Sequence, residues 1–224
     1  MADKDKDREI TIDDFERVSS EINSMMDDLA DQLPPRAKEL FSEVRAFRSS
    51  ITEETDRGAV LMSAAFLDEK LKQIIEKRMV QDRKTLQKAF DFNGPLGTFS
   101  SRIDFCYLIG IIPKNAQKDL HTVRAIRNQF AHHAAPLSYE DEKVKNLCSQ
   151  LVFHGIKNPV DGGSRFRRSV MGLLIYINSA FESIEHIEAA PDYIIPDRSD
   201  VYIAISDVFT KITGMEYPLK HEHE

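Results

Sequence analysis

The apolar residues of this 224-residue chain recur at steps of three and four along nearly its whole length, the period of a buried helix face. Phe15, Val18, Ile22, Met25 and Leu29 trace a narrow seam of the kind found in coiled coils. Pro34 stops that helix, and Pro35 suits the first residue of the next, whose stripe is Leu40, Val44, Phe47 and Ile51. A long third stripe runs through Val60, Ala64, Leu67, Leu71, Ile74, Ile75 and Met79. Its polar side carries Asp68, Glu69, Lys70, Lys72, Glu76 and Lys77, spaced for pairing along one exposed face. Residues 92–97, Phe-Asn-Gly-Pro-Leu-Gly, are the clearest break in the chain. Thr98 then caps a helix through Ile103, Tyr107 and Leu108, and Pro113 opens one reaching about His133. Ser138 and Asp141 have capping-box spacing for a helix to about Phe153. Beyond a loop at 158–163, Phe166, Val170, Leu173, Ile177, Phe181 and Ile184 form a strong amphipathic stripe. A last helix through Val201, Ile205, Val208, Phe209 and Ile212 ends at Gly214. Nothing reads as a strand pair. The expected fold is all-α, a single multi-helix bundle of about 8–9 helices with an N-terminal helical arm. Its expected divisions are an acidic helical arm over 1–55, a bundle over 56–190, and a C-terminal helix with a polar tail over 191–224.

Charge is segregated along that plan. Residues 1–56 carry 16 acids and 8 bases, residues 57–135 carry 7 and 13, and residues 136–224 carry 14 and 9. The net charge of −7 argues against a protein that coats DNA by neutralising phosphates. The basic middle leaves room for a local anion site, or for packing of the acidic arm against it. No stretch approaches the roughly 20 apolar residues of a membrane helix. The opening run of alternating Asp and Lys is too charged for a signal peptide, so a cytoplasmic protein without membrane partners is expected. Cys106 and Cys148 lie in apolar helical patterns and read as free thiols in a reducing compartment. No serine or cysteine stands in a hydrolase motif, and the His221-Glu222-His223-Glu224 tail is a weak metal chelator. No metal, no cofactor and no covalent catalysis are expected.

The most informative segment is His121-Thr-Val-Arg-Ala-Ile-Arg-Asn-Gln-Phe-Ala-His-His133. On a helix at 100° per residue, Ala116, Leu120, Val123, Phe130 and Ala134 share an apolar stripe with Arg127 in its middle. His121, Arg124, Asn128 and His132 fall on a neighbouring polar stripe. An arginine in a core-facing stripe costs several kcal/mol unless it is paired, so Arg127 needs a structural partner, a ligand or a subunit interface. Arg102, just after the glycine turn, joins Arg124, Arg127, Asn128 and His132 as a candidate for binding an anion or a partner. Gly94 and Gly97 either hold a simple turn or leave backbone N–H groups free for a phosphate beside Arg102; no lysine follows them as in a P-loop. Arg165-Phe166-Arg167-Arg168 opens a helix, where it pairs with the acidic arm or meets an anion. The Phe15–Leu29 seam is a surface for core packing, self-association or a partner.

Arg127, Asn128 and His132 resemble the R-N-x-x-x-H form of the HEPN superfamily signature. HEPN domains are helical bundles, often dimeric, and many are metal-independent ribonucleases. For such a nuclease the resemblance implies Arg127, Asn128 and His132 as catalytic residues, with His132 assisting a ribose 2′-hydroxyl and Arg127 steadying the phosphorane. A longer likeness spans about residues 58–190. Residues 92–103, the Tyr107–Pro113 segment and Arg124 to His132 are similar to the mannitol operon repressor family. That likeness implies a cytoplasmic, all-helical transcriptional regulator of sugar-alcohol uptake. No helix-turn-helix, zinc finger or basic recognition helix is present to enter a major groove, which speaks against direct DNA binding. The expected function is therefore repression through protein contacts, with a DNA-binding repressor or a sugar-transport phosphocarrier as partner. The alternative is a HEPN-type endoribonuclease or RNA-binding module. A homodimer is expected in either case.

Overall fold

A computed structural model describes residues 11–133, 135–157 and 161–218. The opening charge run, Ala134, residues 158–160, the 221–224 tail and the side chain of Phe15 lie outside that description. Among the described residues there are nine α-helices and no strand. They form two compact units, divided between Ile187 and Glu188.

The first unit contains α1 (Ile12–Asp31), α2 (Pro35–Glu53), α3 (Asp56–Arg78), α4 (Arg83–Phe90), α5 (Phe99–Leu108), α6 (Lys114–His132), α7 (Glu142–Ser149) and α8 (Gly162–Ser183). Local chemistry sets most of the boundaries. Thr11 and Asp14 cap each other at the start of α1, and Pro35 occupies the first turn of α2. Thr55 accepts a hydrogen bond from the Gly58 N–H at 3.1 Å to begin α3. Thr98 and Ser101 form the reciprocal box that begins α5.

Helix α3 is the axis of the unit and packs against α2, α5, α6 and α8. Val60, Leu67, Leu71, Ile74 and Ile75 are fully buried there and meet Ile103 of α5, Val123, Ile126 and Phe130 of α6, and Phe166, Val170 and Leu173 of α8. Each such side chain stabilises the fold by about 1.5–3 kcal/mol. Tyr139 lies between the rings of Phe130 and Phe166, with centroids at 5.9 and 5.5 Å, and closes one end of the core. Burial pushes the Cys106 and Cys148 thiols up to about 12.

Several expectations are corrected. The Ser138–Asp141 pair closes a turn and caps no helix. The Asp141 carboxylate accepts from the Ser138 N–H at 2.6 Å and hydroxyl at 3.2 Å, and α7 is only eight residues long. The backbone just beyond α7 is held from α6. One oxygen of Asp119, a buried carboxylate, accepts the N–H groups of both Val152 and Phe153 at 2.9 Å. Two backbone donors replace a continued helix there. Helix α4 is an addition to the expected set. It has no buried residue and starts on the Asp82 cap, which accepts from the Thr85 N–H at 2.9 Å. The described part of the α1 seam is not core: Val18, Ile22, Met25 and Leu29 are 47–64% exposed, and among the described side chains of this helix only Ala30 is buried. Ion pairs from Asp27 to Arg45 and from Asp31 to Lys38 tie α1 to α2.

The second unit contains α9 (Ser199–Thr213). Gly214 ends it at φ +70°, a left-handed conformation suited to glycine, and its N–H donates to the Thr210 carbonyl at 2.8 Å. Tyr217 packs edge-on against Tyr202 and Phe209.

Candidate functional site

The residues singled out from the sequence lie on α5 and α6, two helices that pack against each other and against α3. The turn before α5 is made of close backbone contacts. The Gly94 N–H donates to the Asp91 carbonyl at 2.7 Å, that of Leu96 to Ala89 at 2.9 Å, and that of Gly97 to Gly94 at 3.0 Å. A Cβ at Gly94 would stand 2.3 Å from the Lys88 carbonyl oxygen, and one at Gly97 would stand 2.4 Å from that of Asp91. Both glycines serve the turn, and their N–H groups are used within it. The phosphate-cradle alternative for this loop is set aside.

Arg102 completes that corner. Its Nε donates to the Leu96 carbonyl at 2.8 Å, its Nη1 to Asp68 Oδ1 at 2.8 Å, and its guanidinium lies 5.5 Å from the Phe90 ring centroid. Only 11% of the side chain is exposed. Burial raises the Asp68 carboxyl above its ordinary value, against the opposing pull of Arg102 and Arg127. Asp68 therefore faces another helix and does not serve the exposed ladder expected along α3. Lys70 likewise leaves that ladder for Glu43 of α2, at 2.7 Å.

On α6 the apolar stripe is Ala116, Leu120, Val123, Ile126 and Phe130. Ile126 fills the central position expected of Arg127, which stands half-buried at the stripe's edge. The helix packs against α3, α5, α7 and α8 together, so its buried arc is wide enough to rotate the arginine out. On the polar side, Asp104 of α5 accepts from Gln117 Nε2 at 2.7 Å and pairs with His121 Nε2 at 2.8 Å. The His121 hydrogen bond is the main cause holding Asp104 below the ordinary carboxylate range; Gln117 and the charge of Arg124 add to it.

Arg124, Arg127, Asn128 and His132 differ from Arg102. Among the described residues none of the four side chains makes a hydrogen bond or ion pair, and the Nε of Arg124 is buried without an acceptor. The charges of Arg124 and Arg127 act on Asp104 and Asp68 only through space. Asn128 is half-buried and His132 is exposed in the last turn of α6. The structure thus separates Arg102, which is engaged in the fold, from an uncommitted strip on α6.

Three contributors carry no clear signal in the sequence. Asp68 and Asp119 lie in helical patterns like any surface acid. Arg57 sits in the first turn of α3 and donates to the carbonyls of His133 and Ala135 at 2.8 and 2.9 Å, holding the C-terminal end of α6. Only the basic residue near a helix junction hints at that last role. Among the described residues the basic opening of α8 pairs with no carboxylate of the acidic arm. Arg165 donates to the Ser149 carbonyl at 3.0 Å, and Arg167 lies 5.4 Å from the Tyr139 ring centroid. No cluster of three or more His, Cys, Asp or Glu side chains able to hold a metal occurs among the described residues. No helix among them is long and apolar enough to cross a membrane.

No curated protein matches the chain. Among solved structures it is similar to the X-ray structure of the MtlR–HPr complex from Escherichia coli. The two are 16% identical, the match covers 61% of this chain and 97% of that one, and the TM-score is 0.46. The family model described as mannitol repressor matches residues 50–161, from the last turn of α2 through α7. That segment holds the glycine turn, the Arg102 corner and the whole of α6. Matched over half its length by that model, the chain belongs to the mannitol repressor family.

Proposed function

We propose that this chain regulates a mannitol operon by binding another protein, and that the uncommitted strip of α6 is part of the contact. The observation that carries this reading is the set Arg124, Arg127, Asn128 and His132, free of partners within the segment that the family model matches. Arginine that is pre-placed on a rigid helix and lacks an internal acceptor is suited to a carboxylate or phosphate on a partner's surface. The acidic whole-chain balance and the lack of a recognition helix favour such a partner over operator DNA. A sugar-transport phosphocarrier fits the role, and HPr is the probe of choice because the Escherichia coli protein was solved with it. Self-association through the exposed α1 seam belongs to the same proposal.

Calorimetric titration of HPr, phosphorylated and unphosphorylated, into the full chain tests this. Association that weakens at least tenfold on Arg124→Glu with Arg127→Glu is the expected result. Tight binding of an operator duplex with no response to HPr would overturn it.

A second reading is favoured by the same lack of partners at Arg127, Asn128 and His132: a HEPN-type ribonuclease. There the 2′-oxygen would attack the adjacent phosphorus, its proton passing to His132, while the 5′-oxygen leaves and takes up a proton. RNA fragments with cyclic phosphate ends, lost on His132→Ala with the melting temperature unchanged, would establish that activity.

A further inference from the structure

We propose that the cleft walled by α2, α3 and α8 binds a small, neutral, polyhydroxyl molecule. Its volume is about 350 Å³, at the small end of the range for ligand pockets. At one side Arg36 of α2 grips Glu182 of α8 through Nε and Nη2, with contacts of 3.0–3.1 Å. At the other, Lys70 of α3 pairs with Glu43 of α2, the lysine side chain being only 15% exposed. Both cations of the lining are therefore already neutralised by carboxylates of the lining. An anionic ligand finds no free cation there. The third carboxylate, Glu39, is exposed to solvent, so it screens weakly against anions and does little to hold a cation.

What the cleft does offer is unused hydrogen-bonding capacity beside apolar surface. Asn178 lines it and is 5% exposed, and its Nδ2 is buried without an acceptor. A buried donor left in that state destabilises the fold until an acceptor arrives. Gln73 donates its own amide to Glu69 at 3.2 Å, which turns its Oε1 towards use as an acceptor. Glu43 and Glu182 keep lone pairs beyond those used by Lys70 and Arg36. Ile177 and Leu40 supply apolar wall. A hydroxyl is both donor and acceptor, and a polyol carries several hydroxyls on a C–H framework. That combination satisfies Asn178, Gln73 and the carboxylates at once without adding a charge.

This inference rests on the cleft alone and not on the phosphocarrier reading. Its test contains no partner protein, so either reading can fail without the other. Three probes of one skeleton, D-mannitol, its 1-phosphate and the amino analogue glucamine, are titrated calorimetrically into the full chain. Binding of mannitol, with the anionic and cationic analogues at least tenfold weaker, is expected. Asn178→Leu should abolish that binding while melting no lower than the parent, because it removes a donor that has no acceptor. Should Asn178→Leu melt lower, Gln73→Leu at a half-buried position decides, with an expected tenfold loss. Absence of binding by mannitol at millimolar concentration, equal binding of the three probes, or unchanged binding in the deciding variant would each overturn the proposal.

Discussion

Arg102 on α5 and the arginines of α6 stand on adjoining helices of one bundle, yet the fold treats them in opposite ways. Arg102 is almost wholly enclosed, with a carbonyl, a carboxylate and an aromatic face around its guanidinium. Arg124 and Arg127 are half-buried, and among the described residues their side chains find no acceptor. A guanidinium has five donors and is always charged, so enclosing one without partners costs far more than leaving it in water. The fold meets that cost at Arg102 by building a corner around it. At α6 it leaves the charge at an edge, where an outside partner can reach it. Engagement, and not residue type, separates the structural arginine from the available ones.

The largest effect should come from the corner's backbone. Gly94→Ala places a methyl group 2.3–2.4 Å from the carbonyl oxygens of Lys88 and Ala89, which cannot swing away as a side chain would. About 3 kcal/mol or more should be lost in denaturant unfolding. A variant as stable as the parent would mean that the turn can open to admit the methyl group. Next comes Arg102→Ala. It strands Asp68 and the Leu96 carbonyl, and a loss of about 2–3 kcal/mol is expected, at the low end for a broken buried pair because Asp68 keeps some solvent.

The comparison is sharpest at Arg124→Met. This change keeps the aliphatic length and removes an Nε that is buried without an acceptor. Stability should stay level or rise by up to about 1 kcal/mol in thermal melts. Binding of HPr should fall at least tenfold in the same variant. A destabilisation like that of Arg102→Ala would place both arginines in one structural class.

The helices were legible because a period of three and four over many residues is a strong signal. Prolines and Thr98 marked several ends, and Gly214 took the left-handed cap its position suggested. The failures share a cause: the sequence along one helix does not state what stands opposite it. Asp68 and Lys70 look like members of a surface ladder until α5 and α2 are put in place. Asp119 looks solvated until the 152–153 backbone turns towards it. The α1 seam has the spacing of a core stripe, yet Val18, Ile22, Met25 and Leu29 stay exposed where that helix packs against α2. Helix α4 has no signature in the sequence because eight residues with no buried side chain show no period. At the candidate site the polar strip of α6 was visible as a periodic pattern. Its division from Arg102 was not, because it depends on hydrogen bonds that cross between helices.

Between the enclosed corner and the open strip lies Asp104, and it gives the smallest effect and a test by pH. Its carboxylate faces Gln117, His121 and Arg124 of α6, and their hydrogen bonds and charge hold it below the ordinary carboxylate range. A carboxyl whose folded value is depressed contributes stability above its unfolded value, about 3.9, and loses it as the pH falls through the folded value. Asp104→Asn removes the charge and keeps an acceptor. The melting temperature of the parent should exceed that of the variant by a small margin at pH 5, and the two should converge as the pH falls below about 4. The aspartate is half-exposed, so the margin should also shrink as salt is added. A margin unchanged at low pH would mean that the α5–α6 contact rests on the neutral hydrogen bonds alone. Arg124 would then have no electrostatic anchor inside the fold, which would widen its difference from Arg102.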